Sequence, residues 1–240
     1  METVILLTGT IYPNNMGQTV LQDPVVRKEQ YKESIYFYLK KTNLKIVFVE
    51  NSNTDISNDF INENTIHRLE FLMFDGNNYS RKFGKGYGEM KILNYAFENS
   101  VFIKNCDFVI KITGRIKIKN INIFINQINR LLFKEFFILD FQRNLKWADS
   151  RLFIFYQNFF SKYLQKYGNQ IDDSREINFE HALCKASLEA ILDNVEYYPL
   201  TDYPVFSGSA GTTGKKYNEN IFFKFLRHFK YRFKYFCLTR

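Results

Sequence analysis

Cysteine and histidine are scarce in this sequence, although they are the residues that most often build disulfide frameworks and zinc sites. Its 240 residues include three histidines and three cysteines, Cys106, Cys184 and Cys237. The cysteines are odd in number and widely spaced, which fits neither a disulfide framework nor a metal-ligand motif. We therefore expect a reducing, cytoplasmic environment and no histidine-rich metal site.

Long apolar runs are missing as well. No segment reaches the roughly 18 apolar residues without charges that a transmembrane helix requires. The N-terminus, Met-Glu-Thr-Val-Ile-Leu-Leu-Thr-Gly, has no basic leader, and its apolar run is too short for a signal peptide. These absences predict a soluble or peripheral protein, either cytoplasmic or held at the inner face of the cell membrane.

The sequence does contain enough apolar residues for a full core, together with an excess of positive charge. Hydrophobic residues make up 45% of the chain, aromatic residues 18%, and the net charge is +8. This apolar share is ordinary for a globular protein, and the length suits one large domain. The charge favours an anionic partner, but it does not choose among a nucleotide, a nucleic acid and an anionic membrane.

Short, continuous apolar runs alternate with helical patterns through the first half of the chain, as is typical of an α/β protein. The strands are expected at 4–7, 45–49, 68–74 and 107–112, and the helices at 24–41 and 87–98. Asp23 followed by Pro24 marks the first helix with an N-cap and an N1 proline. The order β-α-β-β-α-β predicts an open α/β sheet with binding sites at the carboxyl ends of its strands.

The second half adds further strands and helices to this mixed sheet. Strands are expected at 136–141, 152–156 and 195–198, and helices are expected to begin at 120, 159 and 178. Asn120 is expected to cap the first of these helices. An amphipathic helix is expected at 220–238, with phenylalanines on one side and basic residues on the other. It fits binding in the plane of an anionic membrane, or packing on the body or a partner.

The first candidate for a binding site is Lys111-Ile-Thr-Gly-Arg115, which ends the expected central strand. Thr113 offers a hydroxyl, Gly114 a backbone amide that we expect to be free, and Arg115 a fixed charge suited to bidentate phosphate contact. Strand ends of this kind carry the ligand sites of α/β proteins. A glycine turn with solvated charges fits the same residues, so composition alone leaves both interpretations open.

Two glycine-rich segments are further candidates for binding an anion. Gly84-Lys-Gly-Tyr-Gly-Glu89 leads into a helix, whose free amides and dipole favour an anion, and Lys85 adds charge. Segment 207–216 looks like a P-loop, but Gly208 and Gly214 are separated by five residues instead of four, and Lys216 stands where Ser or Thr would hold magnesium. A plain turn and a plain surface loop explain these two segments equally well.

Two carboxylates are candidate general bases, because a carboxylate can take the proton of an attacking hydroxyl. Asp149 precedes a strand in Asp149-Ser-Arg151, and Glu180 lies in the first turn of the helix expected from 178. A glutamate at a helix start more often complements the helix dipole. The acidic residues just before that helix are expected to be solvated: Asp172, Asp173 and Glu176.

Together these segments resemble bacterial glycosyltransferases from capsule and lipopolysaccharide O-antigen loci, which have a GT-A-like nucleotide-binding fold. The matching stretches occur in the family's order over most of the chain: Leu7-Thr-Gly-Thr10, Val49-Glu-Asn-Ser52, Gly84-Lys-Gly-Tyr-Gly-Glu89, Phe108-Val-Ile-Lys-Ile-Thr-Gly-Arg115, Ala148-Asp-Ser-Arg151, Asn178-Phe-Glu-His181 and the loop 207–217.

The resemblance implies a nucleotide-sugar donor and a base at Glu180, with Asp149 as second choice. The implied donor-binding residues are Thr8, Gly9, Glu50, Asn51, Lys85, Glu89, Lys111, Thr113, Gly114, Arg115, Arg151, Thr212, Thr213, Gly214 and Lys215. Thr113-Gly114-Arg115 stands where many GT-A enzymes carry an Asp-x-Asp metal site. No cofactor is expected, and the missing carboxylates put dependence on a divalent metal in doubt without deciding it. Arg115, with Lys111 or the lysines at 215–216, could neutralise the leaving diphosphate instead.

The implied function is transfer of a sugar from a nucleotide donor to a glycan or glycolipid acceptor at a membrane, with no nucleic-acid partner. It implies one catalytic domain over 1–219, with a nucleotide-binding half at 1–118 and an acceptor-side half at 119–219, followed by the basic helix 220–240. A basic nucleic-acid-binding protein is the alternative from another class, although no recognition helix or RNA-binding strand motif is apparent. A phosphoryl-transfer enzyme using the loop 207–216 is a third.

Overall fold

The structure, a computed structural model, describes residues 1–14, 16, 19–61, 67–209, 214, 217 and 221–239. The strands are β1 (Thr3–Gly9), β2 (Lys45–Glu50), β3 (Leu69–Met73), β4 (Phe108–Thr113), β5 (Lys117–Ile118), β6 (Phe136–Ile138), β7 (Phe141–Gln142), β8 (Trp147–Ala148), β9 (Leu152–Tyr156), β10 (Glu196–Tyr198) and β11 (Phe206–Ser207). The helices are α1 (Pro24–Lys41), α2 (Gly84–Asn99), α3 (Val101–Lys104), α4 (Ile121–Arg130), α5 (Gln165–Gly168), α6 (Phe179–Leu192) and α7 (Ile221–Leu238).

A seven-stranded sheet organises these elements, in the order β10-β6-β9-β4-β1-β2-β3. Strand β1 pairs in parallel with β2 and β4, and the pairs β2–β3 and β6–β10 are also parallel. Only β9 runs antiparallel to its neighbours in this sheet, between β4 and β6. Helices pack against the strands, so the predicted mixed α/β sheet flanked by helices is confirmed.

The two central strands are buried along most of their length, as their continuous apolar runs predict. In β1 the side chains from Val4 to Leu7 are 0% exposed, and in β4 the same holds for Phe108, Val109 and Ile110. Strand β4 also buries Lys111, which is 1% exposed. A buried lysine requires a counter-charge, and its partner lies in the cavity described below.

Several local predictions are confirmed and several need correction. The side chain of Asp23 accepts hydrogen bonds from the first-turn amides of Val25 and Val26, so it caps α1 as expected. Asn120 precedes α4 without capping it, because its side chain instead binds the carbonyl of Tyr203 and the amide of Val205. Helix α2 begins at Gly84, so the glycines of this segment lie within its first turns.

The strand expected at 136–141 is divided in two. Residues 136–138 form β6 in the main sheet, whereas Phe141 belongs to β7, which forms a separate hairpin with β8. Asp140 lies between the two strands and is 6% exposed. The helix expected from 159 is real, but its first part, Phe160–Leu164, is a π-helical turn that leads into α5.

The C-terminal amphipathic helix is present as α7. Its polar side faces the body of the protein: Tyr231 and Lys234 bind the carboxylate of Asp140, while His228 and Arg232 bind that of Asp202. Along the described chain, every helix is too short or too polar to cross a bilayer.

Candidate active site

A cavity of about 450 Å³ opens at the carboxyl ends of β1 and β4, where a parallel sheet is expected to bind ligands. Most of the residues predicted for the site line it: Thr8, Gly9, Lys85, Glu89, Lys111, Thr113, Arg115, Asp149, Arg151 and Glu180. The cavity wall does not include Glu50, Asn51, Gly114 or Gly214. Thr212, Thr213 and Lys215 lie outside the described residues.

The buried ammonium group of Lys111 is neutralised inside the protein. It forms an ion pair with Glu89 and donates a 2.9 Å hydrogen bond to the carbonyl of Ser150. Glu89 also accepts a 2.8 Å hydrogen bond from the hydroxyl of Thr8, which joins the end of β1 to the same pair. Lys111 therefore contributes little net charge to the cavity, and its clearest task is to tie β4 to helix α2.

Arg115 is the contrasting case, because it is 7% exposed and has little compensation. Its guanidinium group donates one 3.3 Å hydrogen bond to the side-chain oxygen of Gln30. Across the described ranges, no carboxylate forms an ion pair with it. The other donors of Arg115 have no acceptor among the described residues, and a buried cation of this kind is costly unless an anion or water completes the site.

A second buried arginine on the cavity wall is Arg27, which is 4% exposed. Its donors are used by the protein: Nε binds the carbonyl of Thr10 at 2.6 Å, and Nη1 binds that of Leu21 at 3.1 Å. Nη2 lies 3.2 Å from the hydroxyl of Tyr31. Arg27 therefore holds the loop after β1, and its charge adds to that of Arg115.

The backbone amide of Gly114 is not free, contrary to our expectation from the sequence. It donates a 2.9 Å hydrogen bond to the carbonyl of Thr8 across the sheet. A β-carbon at this position would lie 2.5 Å from the same oxygen, which explains why the turn requires glycine. The turn 113–115 thus presents a hydroxyl and a guanidinium to the cavity, while its glycine allows close approach to β1.

Glu50 and Asn51 face the loops at the end of β2 instead of the cavity. The carboxylate of Glu50 accepts hydrogen bonds from the amides of Ile11, Ser52 and Thr54 at 2.7–2.9 Å. Burial raises the pKa of Glu50, although these hydrogen bonds oppose the shift. Asn51 accepts a 2.6 Å hydrogen bond from Thr10. Both residues shape the loop that follows β1, so any effect on a ligand would be indirect.

The N-terminus of α2 is already occupied by a carboxylate of the protein. Asp173 accepts the backbone N–H of Lys85, and a β-carbon on Gly84 would lie 1.7 Å from its Oδ2. Burial raises the pKa of Asp173, and Lys85 opposes this shift while Glu180 reinforces it. The prediction that Asp173 is simply solvated is wrong, since this residue caps α2 and lines the cavity.

Asp149 and Arg151 form a tight pair on the opposite part of the wall. Asp149 Oδ1 accepts hydrogen bonds from the backbone N–H and Nε of Arg151 at 3.0 and 2.9 Å, and Oδ2 accepts from Nη2 at 2.5 Å. The guanidinium also lies 4.2 Å from the centre of the Phe206 ring and 5.8 Å from that of Tyr217. This network fixes Arg151, and both oxygens of Asp149 are used in it.

Glu180 is less constrained than Asp149. It lies in the first turn of α6, whose N-cap Asn178 forms a capping box with His181. Its Oε1 accepts a 2.7 Å hydrogen bond from the hydroxyl of Ser150, whose carbonyl in turn binds Lys111. The side chain is therefore oriented toward the end of β4, and Oε2 has no hydrogen-bond donor among the described residues.

The aromatic part of the wall was not predicted as a site from the sequence. Trp147 lines the cavity, with the guanidinium of Arg143 4.4 Å from the centre of its ring and the ring of His181 at 5.0 Å. Arg143, Asn144 and Leu145 have φ values of 51°, 55° and 62°, a left-handed run that is strained for residues other than glycine. This hairpin turn positions the chain's one tryptophan at the cavity, and the sole sequence signal was the rarity of that residue.

The structure offers no ready divalent-cation site at the turn 113–115. The turn itself carries no carboxylate, and two of the carboxylates in the cavity wall are engaged in ion pairs, Glu89 with Lys111 and Asp149 with Arg151. Among the residues that the structure describes, no three His, Cys, Asp or Glu side chains are grouped to hold a metal ion. The donor set at this point suits an anion better than a cation.

No protein-family model matches the sequence, and no curated protein matches it. Solved structures resemble it at low sequence identity. Residues 1–349 of S. aureus TarS, in complex with UDP-GlcNAc, align with a TM-score of 0.49 at 13% identity, covering 90% of this chain and 61% of that one. Mouse xyloside xylosyltransferase 1 gives a TM-score of 0.47 at 9% identity, covering 83% and 85%.

The inositol-1-phosphate CTP transferase of T. maritima is similar to the same degree, with a TM-score of 0.46, 14% identity, and 83% and 85% of the two chains covered. These are similarities of fold, at identities too low to assign a role to any residue.

Proposed function

We propose that the protein is a GT-A-like glycosyltransferase, which moves a sugar from a nucleoside-diphosphate donor to a glycan or glycolipid acceptor. The observation that carries this proposal is the buried residue Arg115 at the cavity wall, whose one side-chain hydrogen bond to a described residue is the 3.3 Å contact with Gln30. Together with Arg27 it gives the cavity positive charge that no described carboxylate pairs with. A donor diphosphate would supply the missing acceptors as charge-assisted hydrogen bonds.

In this reaction the acceptor hydroxyl attacks C1 of the donor sugar. The new C1–O bond forms as the bond between C1 and the diphosphate oxygen breaks, and its electron pair leaves with the nucleoside diphosphate. Arg115 stabilises the charge that grows on the departing oxygen, which is the task that fixed cationic donors perform best in a buried site. The hydroxyl of Thr113, from the same turn, is a second donor to the diphosphate.

Glu180 is our candidate for the base that takes the acceptor proton. Its Oε1 is oriented by Ser150 while Oε2 has no described donor, whereas both oxygens of Asp149 accept hydrogen bonds from Arg151. We therefore assign Asp149 the role of fixing Arg151 in the cavity wall. Asp173 is a positioning residue in this scheme, because it caps α2 beside Lys85.

The donor-side role of the other predicted residues follows from where they lie. Thr8, Gly9 and Glu89 would contact the donor near the end of β1, and Lys85 would add charge at the start of α2. The donor-binding role of Thr212, Thr213 and Lys215 stays a prediction, because these residues lie outside the described part of the chain. Since no carboxylate pair is available at the turn 113–115, we expect transfer to proceed without a divalent metal.

The proposed acceptor is a growing surface polysaccharide of the capsule or lipopolysaccharide O-antigen type, made on the cytoplasmic face of the membrane. The positive charge of the chain and its basic C-terminal helix support an acceptor held at an anionic lipid surface. The recessed positions of Arg27 and Arg115, 4% and 7% exposed, favour a small anion over a nucleic-acid backbone.

Thermal unfolding in the presence of sugar nucleotides and nucleoside diphosphates tests this proposal. A donor should raise the Tm by mass action, and the stabilising donor should then release nucleoside diphosphate when saccharide acceptors are added. If no member of a broad panel raises the Tm, the proposal fails. If a nucleoside triphosphate is consumed with release of pyrophosphate, the protein is a nucleotidyltransferase instead.

A further inference from the structure

Helix α7 is docked in the opposite sense to an ordinary amphipathic helix. Such a helix normally buries its apolar face against the core, but here the polar face is turned inward. The apolar side chains along its outer face are strongly exposed: Phe223 60%, Phe225 66%, Leu226 45%, Phe229 65% and Phe233 60%. The outward position of these side chains is therefore a property of the fold that needs an explanation.

The outer side chains form a continuous stripe. Successive residues of an α-helix turn by about 100°, so positions 222, 225, 226, 229, 233 and 236 share one side over a length of about 21 Å. The rings of Phe229 and Phe233 are nearly parallel, with their centres 6.4 Å apart. An apolar stripe of this length on a soluble surface marks a site of interaction with a protein or a membrane.

The inner face is held by specific polar contacts, which excludes a loosely attached tail. Tyr231 and Lys234 bind the two oxygens of Asp140 at 2.7 and 2.8 Å. Arg232 binds Asp202 at 2.9 Å, and His228 contacts the same carboxylate. Asp140 and Asp202 are 6% and 3% exposed, so these are buried anchors. The anchors fix which side of α7 points outward.

The charge of α7 indicates which kind of partner, a protein or a membrane, fits the apolar stripe. Between 221 and 239 the chain has no Asp or Glu, while its basic residues are Lys224, Arg227, Lys230, Arg232 and Lys234. Lys230 is exposed, and the side chain of Arg232 is 69% exposed even while it pairs with Asp202. At 100° per residue these two lie on either side of the stripe. If a second copy packed on this face, the basic residues of the two copies would repel one another. Anionic lipid headgroups would instead attract these residues.

We propose that α7 is a membrane-docking helix, which lies in the plane of an anionic bilayer with its phenylalanine stripe among the acyl chains and Lys230 and Arg232 at the headgroups. Large aromatic side chains on one face and flanking cations are the features of interfacial helices, and long basic side chains reach outward to the headgroups. This inference deepens the proposed function, on which it rests for the acceptor being lipid-linked.

The docking contacts also connect the membrane helix to the cavity. Asp140 Oδ2, which binds Tyr231, accepts a 2.9 Å hydrogen bond from the side chain of Gln142. Gln142 lines the cavity and lies 3.5 Å from Oδ2 of Asp149. A chain of hydrogen bonds thus leads from α7 to the Asp149–Arg151 pair. Docking through α7 would hold this part of the cavity beside the headgroups, where a lipid-linked acceptor projects.

Vesicle flotation of the full chain tests the inference without any need for donor or acceptor. We expect binding to phosphatidylcholine vesicles that contain 30% phosphatidylglycerol, and at least tenfold weaker binding to phosphatidylcholine alone. A triple variant, Phe225→Ser, Phe229→Ser and Phe233→Ser, should lose vesicle binding while keeping the wild-type Tm and donor-induced stabilisation, because the three side chains are exposed. The matched control replaces three exposed apolar residues elsewhere with serine, namely Val25, Leu132 and Leu192, and should bind as wild type.

Four results would overturn the inference: no binding of wild type to vesicles, equal binding to both vesicle types, retained binding by the triple phenylalanine variant, or a wild-type dimer that the same substitutions dissociate. The last would make a second copy the occupant of the stripe. If wild type does not bind vesicles but a donor still raises its Tm, the membrane docking alone is refuted. If it binds vesicles but no donor raises its Tm, the proposed function alone is refuted.

Discussion

Replacing Arg115 with methionine removes a buried charge while keeping a side chain of similar length. Arg115 is 7% exposed, and its one side-chain hydrogen bond to a described residue is the 3.3 Å contact with Gln30. Replacing a buried charge that lacks a counter-charge with a well-packed apolar side chain is often neutral or stabilising. We therefore expect the ligand-free R115M variant to unfold at or above the wild-type Tm, which is unusual for a substitution at a buried site.

The same substitution should weaken the binding of a nucleoside diphosphate. A hydrogen bond to a charged group is worth about 1.5–3 kcal/mol, which corresponds to a loss of affinity of about 10- to 150-fold. At a ligand concentration of 100 times the wild-type Kd, wild type gains about 2.7 kcal/mol of stability, whereas the variant gains about 0.3–1.4 kcal/mol. The ligand-induced rise in Tm should therefore fall to about half of its wild-type value or less.

Differential scanning fluorimetry with and without the stabilising nucleotide measures both effects on one sample. Arg27→Met is the matched control: Arg27 is equally buried, but its donors hold the carbonyls of Thr10 and Leu21. Removing them leaves the carbonyl of Leu21 without a described partner, and leaves that of Thr10 with only the 3.2 Å hydrogen bond from the hydroxyl of Tyr31. R27M should therefore lower the ligand-free Tm. The argument that Arg115 binds an anionic ligand would be refuted if the R115M variant were clearly destabilised without ligand. It would also be refuted if R115M kept the full ligand-induced rise in Tm.

The remaining predictions concern the base, the metal, the helix anchor and the turn. Glu180→Gln should lower kcat for transfer by about 10²- to 10⁴-fold with unchanged donor-induced stabilisation, and near-normal turnover would remove Glu180 as the base. A chelator should leave transfer unchanged, so inactivation by EDTA that a divalent metal reverses would show that the cavity does use a cation. Burial raises the pKa of Asp202, but hydrogen bonds led by that from Arg232 bring it below its ordinary value of 3.8. Its stabilising effect is therefore fully present above pH 3.8 and lost as the pH falls through the folded pKa. Asp202→Asn should lower stability by about 1–3 kcal/mol at pH 7, and the difference from wild type should shrink as the pH falls through the folded pKa. Gly114→Ala should cost about 1–3 kcal/mol in denaturant unfolding because its β-carbon would meet the carbonyl of Thr8 at 2.5 Å, and wild-type stability would contradict the close approach of β4 to β1.

The parallel core of the fold was predictable because its strands are buried on both faces. Such strands read as continuous apolar runs, as β1 and β2 do, and β4 departs from this pattern mainly at Lys111. The ends of the elements depended on contacts that a single sequence does not display. Asn120 has the side chain of a helix cap, yet it binds the distant backbone of Tyr203 and Val205. Such a choice between a local and a distant partner is decided by tertiary packing.

The site was predictable in its position but not in its internal pairing. Polar residues after buried strands indicated the cavity, because the carboxyl ends of parallel strands meet at one edge of a sheet. Nothing in the sequence indicated that Lys111 would be neutralised by Glu89, or that Asp173 would reach the start of α2. Glu50 shows the same limit, since a carboxylate that binds three backbone amides looks in sequence like one that binds a ligand.

The pairing within the cavity also explains why a cationic turn and a metal site are alternatives at this position. A metal bound beside the turn 113–115 would need carboxylates with free oxygens, but Glu89 is paired with Lys111, and Asp149 with Arg151. Freeing either carboxylate would leave a buried or half-buried cation unpaired, which costs several kcal/mol. An anionic ligand has the opposite effect, because it meets Arg115 without breaking an existing pair. The arrangement therefore favours a diphosphate bound directly by the protein over one bound through a metal.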